Sequence, residues 1–134
     1  MGPEGRPARI LLVEDNVVNQ MVAEAMLERR GFEVVVAGNG REGAELFQQG
    51  RFDLVLMDIQ MPEMDGFEAL AAIRAFEEGT GRRTPVVALT AHALKEDRER
   101  CLAAGMDDYL SKPIEASRLY EVIRSVLDGR LTPA

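Results

Sequence analysis

Short apolar runs alternate along the chain with longer segments of helical periodicity. The apolar runs are nearly continuous in apolarity, which is typical of strands covered on both faces. They predict strands near 9–14, 33–37, 53–58, 85–90 and 108–111, and the segments between them predict helices near 17–30, 40–49, 66–77, 94–104 and 115–127. Such alternation with short connections predicts an α/β fold, with a parallel sheet, right-handed crossovers and helices on both faces.

The chain of 134 residues is long enough for one domain, burying roughly two-thirds of the surface that the unfolded chain exposes. We place this domain at residues 8–128 and expect flexible tails at 1–7 and 129–134. The segment after 128 is too short for a DNA-binding or enzymatic output domain, so we expect either a stand-alone regulator or a fragment of a longer chain.

Polar residues stand where four of the predicted strands end. Two acids follow the first strand, an acid ends the third, a hydroxyl ends the fourth and an ammonium follows the fifth: Glu14, Asp15, Asp58, Thr90 and Lys112. In open α/β sheets, sites form in the crevice beyond the carboxyl ends of the strands. We therefore expect these five side chains to share one site.

Three carboxylates in one crevice repel each other, and a divalent cation relieves that repulsion. All-oxygen ligands favour Mg²⁺, with Mn²⁺ as an alternative. The chain has one histidine and one cysteine, His92 and Cys101, so a zinc or copper centre is disfavoured. The competing interpretation, helix capping, suits Asn16 and Asp65 better than the three acids. A nucleotide-binding loop after the first strand is excluded because that loop is acidic and lacks glycines.

Charge and composition exclude several classes of protein. The net charge of −7, with no cluster of basic residues on one predicted face, argues against direct nucleic-acid binding. Cys101 has no disulfide partner, which suits a reducing compartment. We find no apolar stretch near the ~18 residues of a membrane span and no signal-peptide core. The expectation is a soluble cytoplasmic protein without membrane insertion.

Four motifs resemble the receiver domain of two-component response regulators over about residues 8–128. They are VEDN at 13–16, MDIQMPEMDG at 57–66, LTAHA at 89–93 and GMDDYLSKP at 105–113. The residues of these motifs are most similar to those of receivers in hybrid sensor histidine kinases. The resemblance implies a single flavodoxin-like (βα)5 doubly wound domain with a five-stranded parallel sheet of order 2-1-3-4-5, a fold for which receivers are themselves the known example.

The resemblance also implies the metal ligands and the phosphoacceptor. Asp58 would accept the phosphoryl group. Glu14, Asp15 and Asp58 would hold Mg²⁺ together with the backbone carbonyl of Gln60. Lys112 and Thr90 would contact phosphoryl oxygens.

A second set of implied roles concerns output and lifetime. Thr90 and Tyr109 would form the conformational switch, and the alternative for Tyr109 is an ordinary half-buried strand tyrosine. The Lys112-Pro113 peptide bond would be cis.

Gln60 and His92 would modulate the lifetime of the aspartyl phosphate. A phosphohistidine role for His92 is disfavoured, because the residue follows a strand end instead of standing on a helical bundle.

The partners implied are a histidine kinase or a histidine phosphotransfer domain, and a phosphorylation-dependent homodimer is a further expectation. The first helix is apolar over an arc of about 280°, more than a sheet-covering helix needs. Docking would involve Asn16, Val18, Asn19, Val22 and Pro113. The alternative is a surface helix with no partner.

Three function classes follow from these observations. The favoured one is a phosphoacceptor module that catalyses only its own phosphorylation and dephosphorylation. A binding module that signals without phosphate is disfavoured because all five site residues are present. An aspartyl-nucleophile phosphatase usually has a second acid two residues after the nucleophile, and Gln60 occupies that position.

Overall fold

The structure is a computed structural model that describes residues 7–59, 66–81, 83–90 and 95–131, with side chains at 95–98 and 128–131 outside the description. Among the predicted site residues, Gln60 and His92 lie outside these ranges, as does Asp65. Their predicted roles stay predictions.

Five strands and five helices alternate along the chain. The strands are β1 (Arg9–Val13), β2 (Glu33–Ala37), β3 (Leu54–Asp58), β4 (Val86–Thr90) and β5 (Asp108–Ser111). The helices are α1 (Val17–Arg29), α2 (Gly40–Gln49), α3 (Gly66–Glu77), α4 (Lys95–Ala103) and α5 (Ala116–Leu131). Each predicted element is present, with bounds within one residue except at the end of α5.

All strand pairs are parallel, and the sheet has the order β2-β1-β3-β4-β5, which confirms the predicted topology. The register places Val13 opposite Met57, Asp58 opposite Leu89 and Thr90 opposite Ser111. The carboxyl ends of β1, β3, β4 and β5 therefore meet at one edge, where the polar residues were expected.

The sheet divides the core into two layers. On one face, Leu27 of α1 and Leu119 of α5 pack against β-strand residues such as Leu56. On the other face, Phe47 of α2, Ile73 of α3 and Cys101 of α4 pack against Val55 and Ala88. Because the strands are buried on both faces, their sequences are continuous apolar runs.

The end of α5 differs from the prediction. The helix was expected to stop near 127 and to be followed by a tail from 129, but it continues through Leu131. A glycine inside a helix costs only about 1 kcal/mol relative to alanine, so Gly129 does not end α5. In the described part of the chain, no helix combines the length and apolarity that crossing a membrane requires.

Candidate functional site

Three carboxylates meet at the carboxyl edge of the sheet, as predicted. One carboxylate oxygen from each of Glu14, Asp15 and Asp58 lies within 4.8 Å of the others. Glu14 and Asp58 are each only 1% exposed, whereas Asp15 is exposed. Two acids are thus held out of water by the fold, and the third faces solvent at the mouth of the crevice.

Lys112 supplies the positive charge of this site. Its Nζ donates a hydrogen bond of 2.8 Å to Asp58 Oδ2 and lies 2.9 Å from Glu14 Oε1. Its backbone N–H donates to the carbonyl of Thr90 at 2.7 Å, and the Lys112–Pro113 peptide bond is cis, as predicted. Burial alone would lower the Lys112 pKa, but the hydrogen bonds to Asp58 and Glu14 outweigh burial and raise it.

Glu14 is the most constrained of the three acids. Its Oε2 accepts a hydrogen bond of 3.2 Å from the backbone N–H of Asn16. Its Oε1 is buried and forms an ion pair with Lys112 Nζ at 2.9 Å, and no other donor of the described residues bonds to it. Burial, followed by a hydrogen bond shared with Asp58, raises the pKa of Glu14 to about 7. A buried carboxylate oxygen whose neighbouring donor is itself a cation is suited to bind a metal ion.

The residues fit a divalent metal ion. Two buried carboxylates and an exposed third one form an all-oxygen donor set. Hard cations such as Mg²⁺ prefer that set. Glu14, Asp15 and Asp58 would hold the ion, which would neutralise charge on a phosphoryl group.

Gly66 starts α3 directly beside Asp58. A Cβ at this position would lie 2.6 Å from the Asp58 carbonyl oxygen and 2.6 Å from the Ile59 Cα, so only glycine allows the helix to approach β3 this closely. No role for Gly66 was predicted from the sequence. A glycine at the first position of a helix, shortly after a strand-ending acid, is the signal that could have indicated this close approach.

Thr90 and Tyr109, the predicted switch pair, lie on the sheet face that packs against α2, α3 and α4. Thr90 is buried at the end of β4, and Tyr109 on β5 is half-buried against the core that contains Ala88 and Met106. Alternation along β4 places Thr90 on the same face as Ala88. The two residues therefore lie on neighbouring strands and on the same face of the sheet. This arrangement is compatible with a movement of Thr90 that changes the position of Tyr109.

The first turns of α1 carry the predicted docking residues. Val18 and Val22 are exposed, and so are two further apolar residues of this helix, Val17 and Met21. Asn16 caps the helix, since its Oδ1 accepts from the backbone N–H of Asn19 at 3.0 Å. The exposed apolar side chains lie next to the acidic loop, and Pro113 is exposed beyond β5.

Comparisons with known proteins identify the family. The family model of the response regulator receiver domain matches residues 10–124. A relative, hybrid signal transduction histidine kinase I of Dictyostelium discoideum, is 40% identical over 129 residues. That alignment covers 92% of this chain and 7% of the relative, so the chain spans a small part of the curated protein it matches.

Two solved structures share the fold. One is the receiver domain of a sensor histidine kinase from Pseudomonas aeruginosa PAO1 with a magnesium ion coordinated in its active site cleft: TM-score 0.80, 45% identity, 89% of this chain and 96% of that chain. The other is a receiver domain of Saccharomyces cerevisiae in complex with a histidine phosphotransfer signalling protein: TM-score 0.80, 34% identity, 88% and 87%. The chain therefore belongs to the response regulator receiver domain family and is a module of phosphorelay signalling.

Proposed function

We propose that this chain accepts a phosphoryl group on Asp58, in a Mg²⁺-dependent transfer from a phosphohistidine of a kinase or phosphotransfer protein. The observation that carries the proposal is the placement of the Asp58 carboxylate. It is buried at a strand end, hydrogen-bonded to Lys112 and within 4.8 Å of two further acids. A carboxylate with a cation on one side and a metal-ligand set on the other suits nucleophilic attack on a phosphoryl group.

This geometry supports an in-line transfer. An Asp58 carboxylate oxygen attacks phosphorus in line with the P–N bond of the donor, so the O–P bond forms while the P–N bond breaks. The electron pair of the P–N bond goes to the imidazole nitrogen, which takes a proton. Lys112 shifts from the carboxylate to a phosphoryl oxygen, and the Thr90 hydroxyl donates to another phosphoryl oxygen. The metal, when bound, neutralises charge on the transferred group.

The donor is proposed to dock on the exposed apolar face of α1. Val17, Val18 and Met21 are each about two-thirds exposed, and Val22 is nearly half exposed. An exposed cluster of apolar side chains on one helix indicates an interaction site. The yeast receiver structure, in complex with a phosphotransfer protein, supports a partner of this kind.

The output is proposed to be a shift between two conformations. Phosphorylation draws the Thr90 hydroxyl toward Asp58, and the half-buried Tyr109 ring turns into the space that Thr90 leaves. Moving such an equilibrium from 1:99 to 99:1 needs about 5.5 kcal/mol of differential stabilisation. New charge-assisted hydrogen bonds at the phosphoryl group together contribute a stabilisation free energy of this order.

The finer expectations belong to the same proposal. The domain catalyses only its own phosphorylation and dephosphorylation, Mn²⁺ can substitute for Mg²⁺ in the site, and no nucleic acid is bound directly. We propose the cytoplasm as the compartment, since the only cysteine, Cys101, is buried in the core. The phosphate-independent binding module is less favoured, because Asp58, Lys112 and the acids are brought together as a phosphoacceptor needs.

The test is labelling by acetyl phosphate in Mg²⁺. We expect the wild type to incorporate one phosphoryl group per chain, and Asp58→Asn to lose labelling while keeping the fold. Wild-type incorporation in Asp58→Asn would contradict the assignment. No label on the wild type, whether from acetyl phosphate or from a phosphorylated phosphotransfer protein, would favour the binding module, and multiple turnover would favour a phosphatase.

A further inference from the structure

The side chain of Gln20, at the end of the first turn of α1, reaches back to the acidic loop. Its Nε2 donates a hydrogen bond of 2.6 Å to the backbone carbonyl oxygen of Glu14. The backbone N–H of Glu14 donates to the carbonyl of Ala37 at the end of β2, at 3.0 Å. Both backbone polar groups of Glu14 are therefore held, one by the sheet and one by the Gln20 amide.

This hydrogen bond is not needed to start the helix. The Asn16 side chain already caps α1 by accepting from the Asn19 N–H, and the Asn16 carbonyl accepts from the Gln20 N–H at 2.9 Å. The Glu14 carbonyl lies two residues before the cap and accepts no intrahelical hydrogen bond. The Gln20 amide thus acts on the loop and not on the helix end.

The held carbonyl belongs to the peptide unit that joins Glu14 to Asp15. Because that unit is planar, fixing its oxygen restricts ψ of Glu14 and φ of Asp15, and so sets the direction of the Asp15 side chain. The Asp15 carboxylate is exposed, and no hydrogen bond from the described residues orients it. Its direction is consequently set through the backbone.

We propose that Gln20 is a positioning residue of the metal site, which holds the Glu14–Asp15 peptide so that Asp15 faces the cation. The inference rests on the proposed Mg²⁺ site. Groups that orient metal ligands without touching the metal typically change its affinity by roughly 10- to 100-fold when they are removed. For one neutral hydrogen bond on a solvent-facing ligand, we expect the lower end of this range.

Two variants of the full chain separate positioning from charge. Gln20→Met keeps the length of the side chain and removes the donor. Gln20→Glu also removes the donor but adds a negative charge near the acids, which by Coulomb attraction alone would tighten Mg²⁺ binding. Gln48→Met, at an exposed position of α2, is the matched control for the glutamine-to-methionine change.

The measurements are the Mg²⁺ dissociation constant by calorimetric titration and the ¹⁵N order parameter of the Asp15 amide in metal-free protein. We expect both Gln20 variants to bind Mg²⁺ roughly tenfold more weakly and to show a less ordered Asp15 amide, with Gln48→Met unchanged in both measurements. The amide measurement does not depend on the metal.

Two results would overturn the inference. The first is binding of Mg²⁺ by Gln20→Glu that is as tight as in the wild type or tighter. That result would show that charge, and not the position of Asp15, decides the affinity. An unchanged Asp15 amide in both variants would equally contradict positioning. If the wild type binds Mg²⁺ and the variants match it, only this inference fails. If the wild type binds no Mg²⁺, the proposed metal site fails with it.

Discussion

Lys112 Nζ lies 2.8 Å from Asp58 Oδ2, and this hydrogen bond joins the ends of β5 and β3, which are not neighbours in the sheet. The same ammonium lies 2.9 Å from Glu14 Oε1. Without a metal, Lys112 is thus the counter-ion of the two buried acids. A single positive charge between two buried carboxylates leaves a net negative charge in the crevice. The repulsion within this negative charge lowers the stability of the metal-free domain.

Asp15→Asn should raise the thermal stability of the metal-free domain while weakening Mg²⁺ binding. Two unit charges about 4 Å apart near a protein surface repel by up to about 4 kcal/mol. Exposure of Asp15 and the charge of Lys112 reduce that value, so we expect a gain of roughly 0.5–1.5 kcal/mol, or about 2–8 °C in Tm. Thermal unfolding in EDTA measures it.

Glu45→Gln is the control for this change. Glu45 is exposed on α2, away from the acidic crevice, and its substitution removes the same unit of negative charge from a chain of net charge −7. A Tm for Asp15→Asn no higher than that of the wild type would argue against repulsion among the three carboxylates. An equal gain in both variants would attribute the effect to net charge.

Gly66→Ala should damage the site through the backbone. The added Cβ would lie 2.6 Å from the Asp58 carbonyl oxygen, so α3 or the end of β3 must shift. We expect a loss of about 1–3 kcal/mol in the free energy of unfolding, as for overpacking, together with slower phosphorylation. Urea unfolding and the rate of labelling by acetyl phosphate measure the two effects.

Gly38→Ala is the matched control, since a Cβ at Gly38 meets no atom within 4 Å. We expect that variant to be within about 0.5 kcal/mol of the wild type, as is usual for surface substitutions. If Gly66→Ala were as stable as Gly38→Ala and were labelled as fast as the wild type, the close approach of α3 to Asp58 would have no consequence for the site.

The sequence predicted the parts of the site that depend on strand ends. Glu14, Asp58 and Thr90 come directly after or at the end of buried apolar runs, and parallel topology then brings those ends together. It did not predict that Gln20 holds the Glu14 carbonyl, because that contact depends on one side-chain conformation. Nor did it predict that Lys112 lies between two buried acids in the metal-free domain, which depends on the relative heights of three strands.

His92→Ala should change the lifetime of the phosphorylated state and leave phosphorylation itself intact. His92 lies outside the described residues, and its position two residues after Thr90 is the basis of this prediction. We expect an imidazole at this position of the sequence to block or to guide the attacking water. We expect the dephosphorylation rate to change by roughly 3- to 30-fold, or about 0.7–2 kcal/mol of barrier. Identical decay of label after donor removal would leave His92 without this role.

The contribution of Glu14 to the stability of the metal-free domain should fall as the pH rises from about 4.5 to 7. Burial, together with the hydrogen bond shared with Asp58, raises the Glu14 pKa from 4.5 to about 7 in the folded state. In this window the folded protein binds more protons than the unfolded chain, so the free energy of unfolding decreases with pH. At 1.36 kcal/mol per pKa unit, the loss is at most about 3.5 kcal/mol.

Urea unfolding of the wild type and Glu14→Gln in EDTA, at pH 5 and pH 8, isolates this contribution from the other carboxylates. Glu14→Gln cannot ionise at this position, so the wild type should lose more stability than the variant between the two pH values. Saturating Mg²⁺ should reduce the difference, because the cation stabilises the ionised carboxylate that burial disfavours. If the wild type gained stability relative to Glu14→Gln between pH 5 and pH 8, the Glu14 carboxylate would be stabilised by Lys112 more than burial destabilises it.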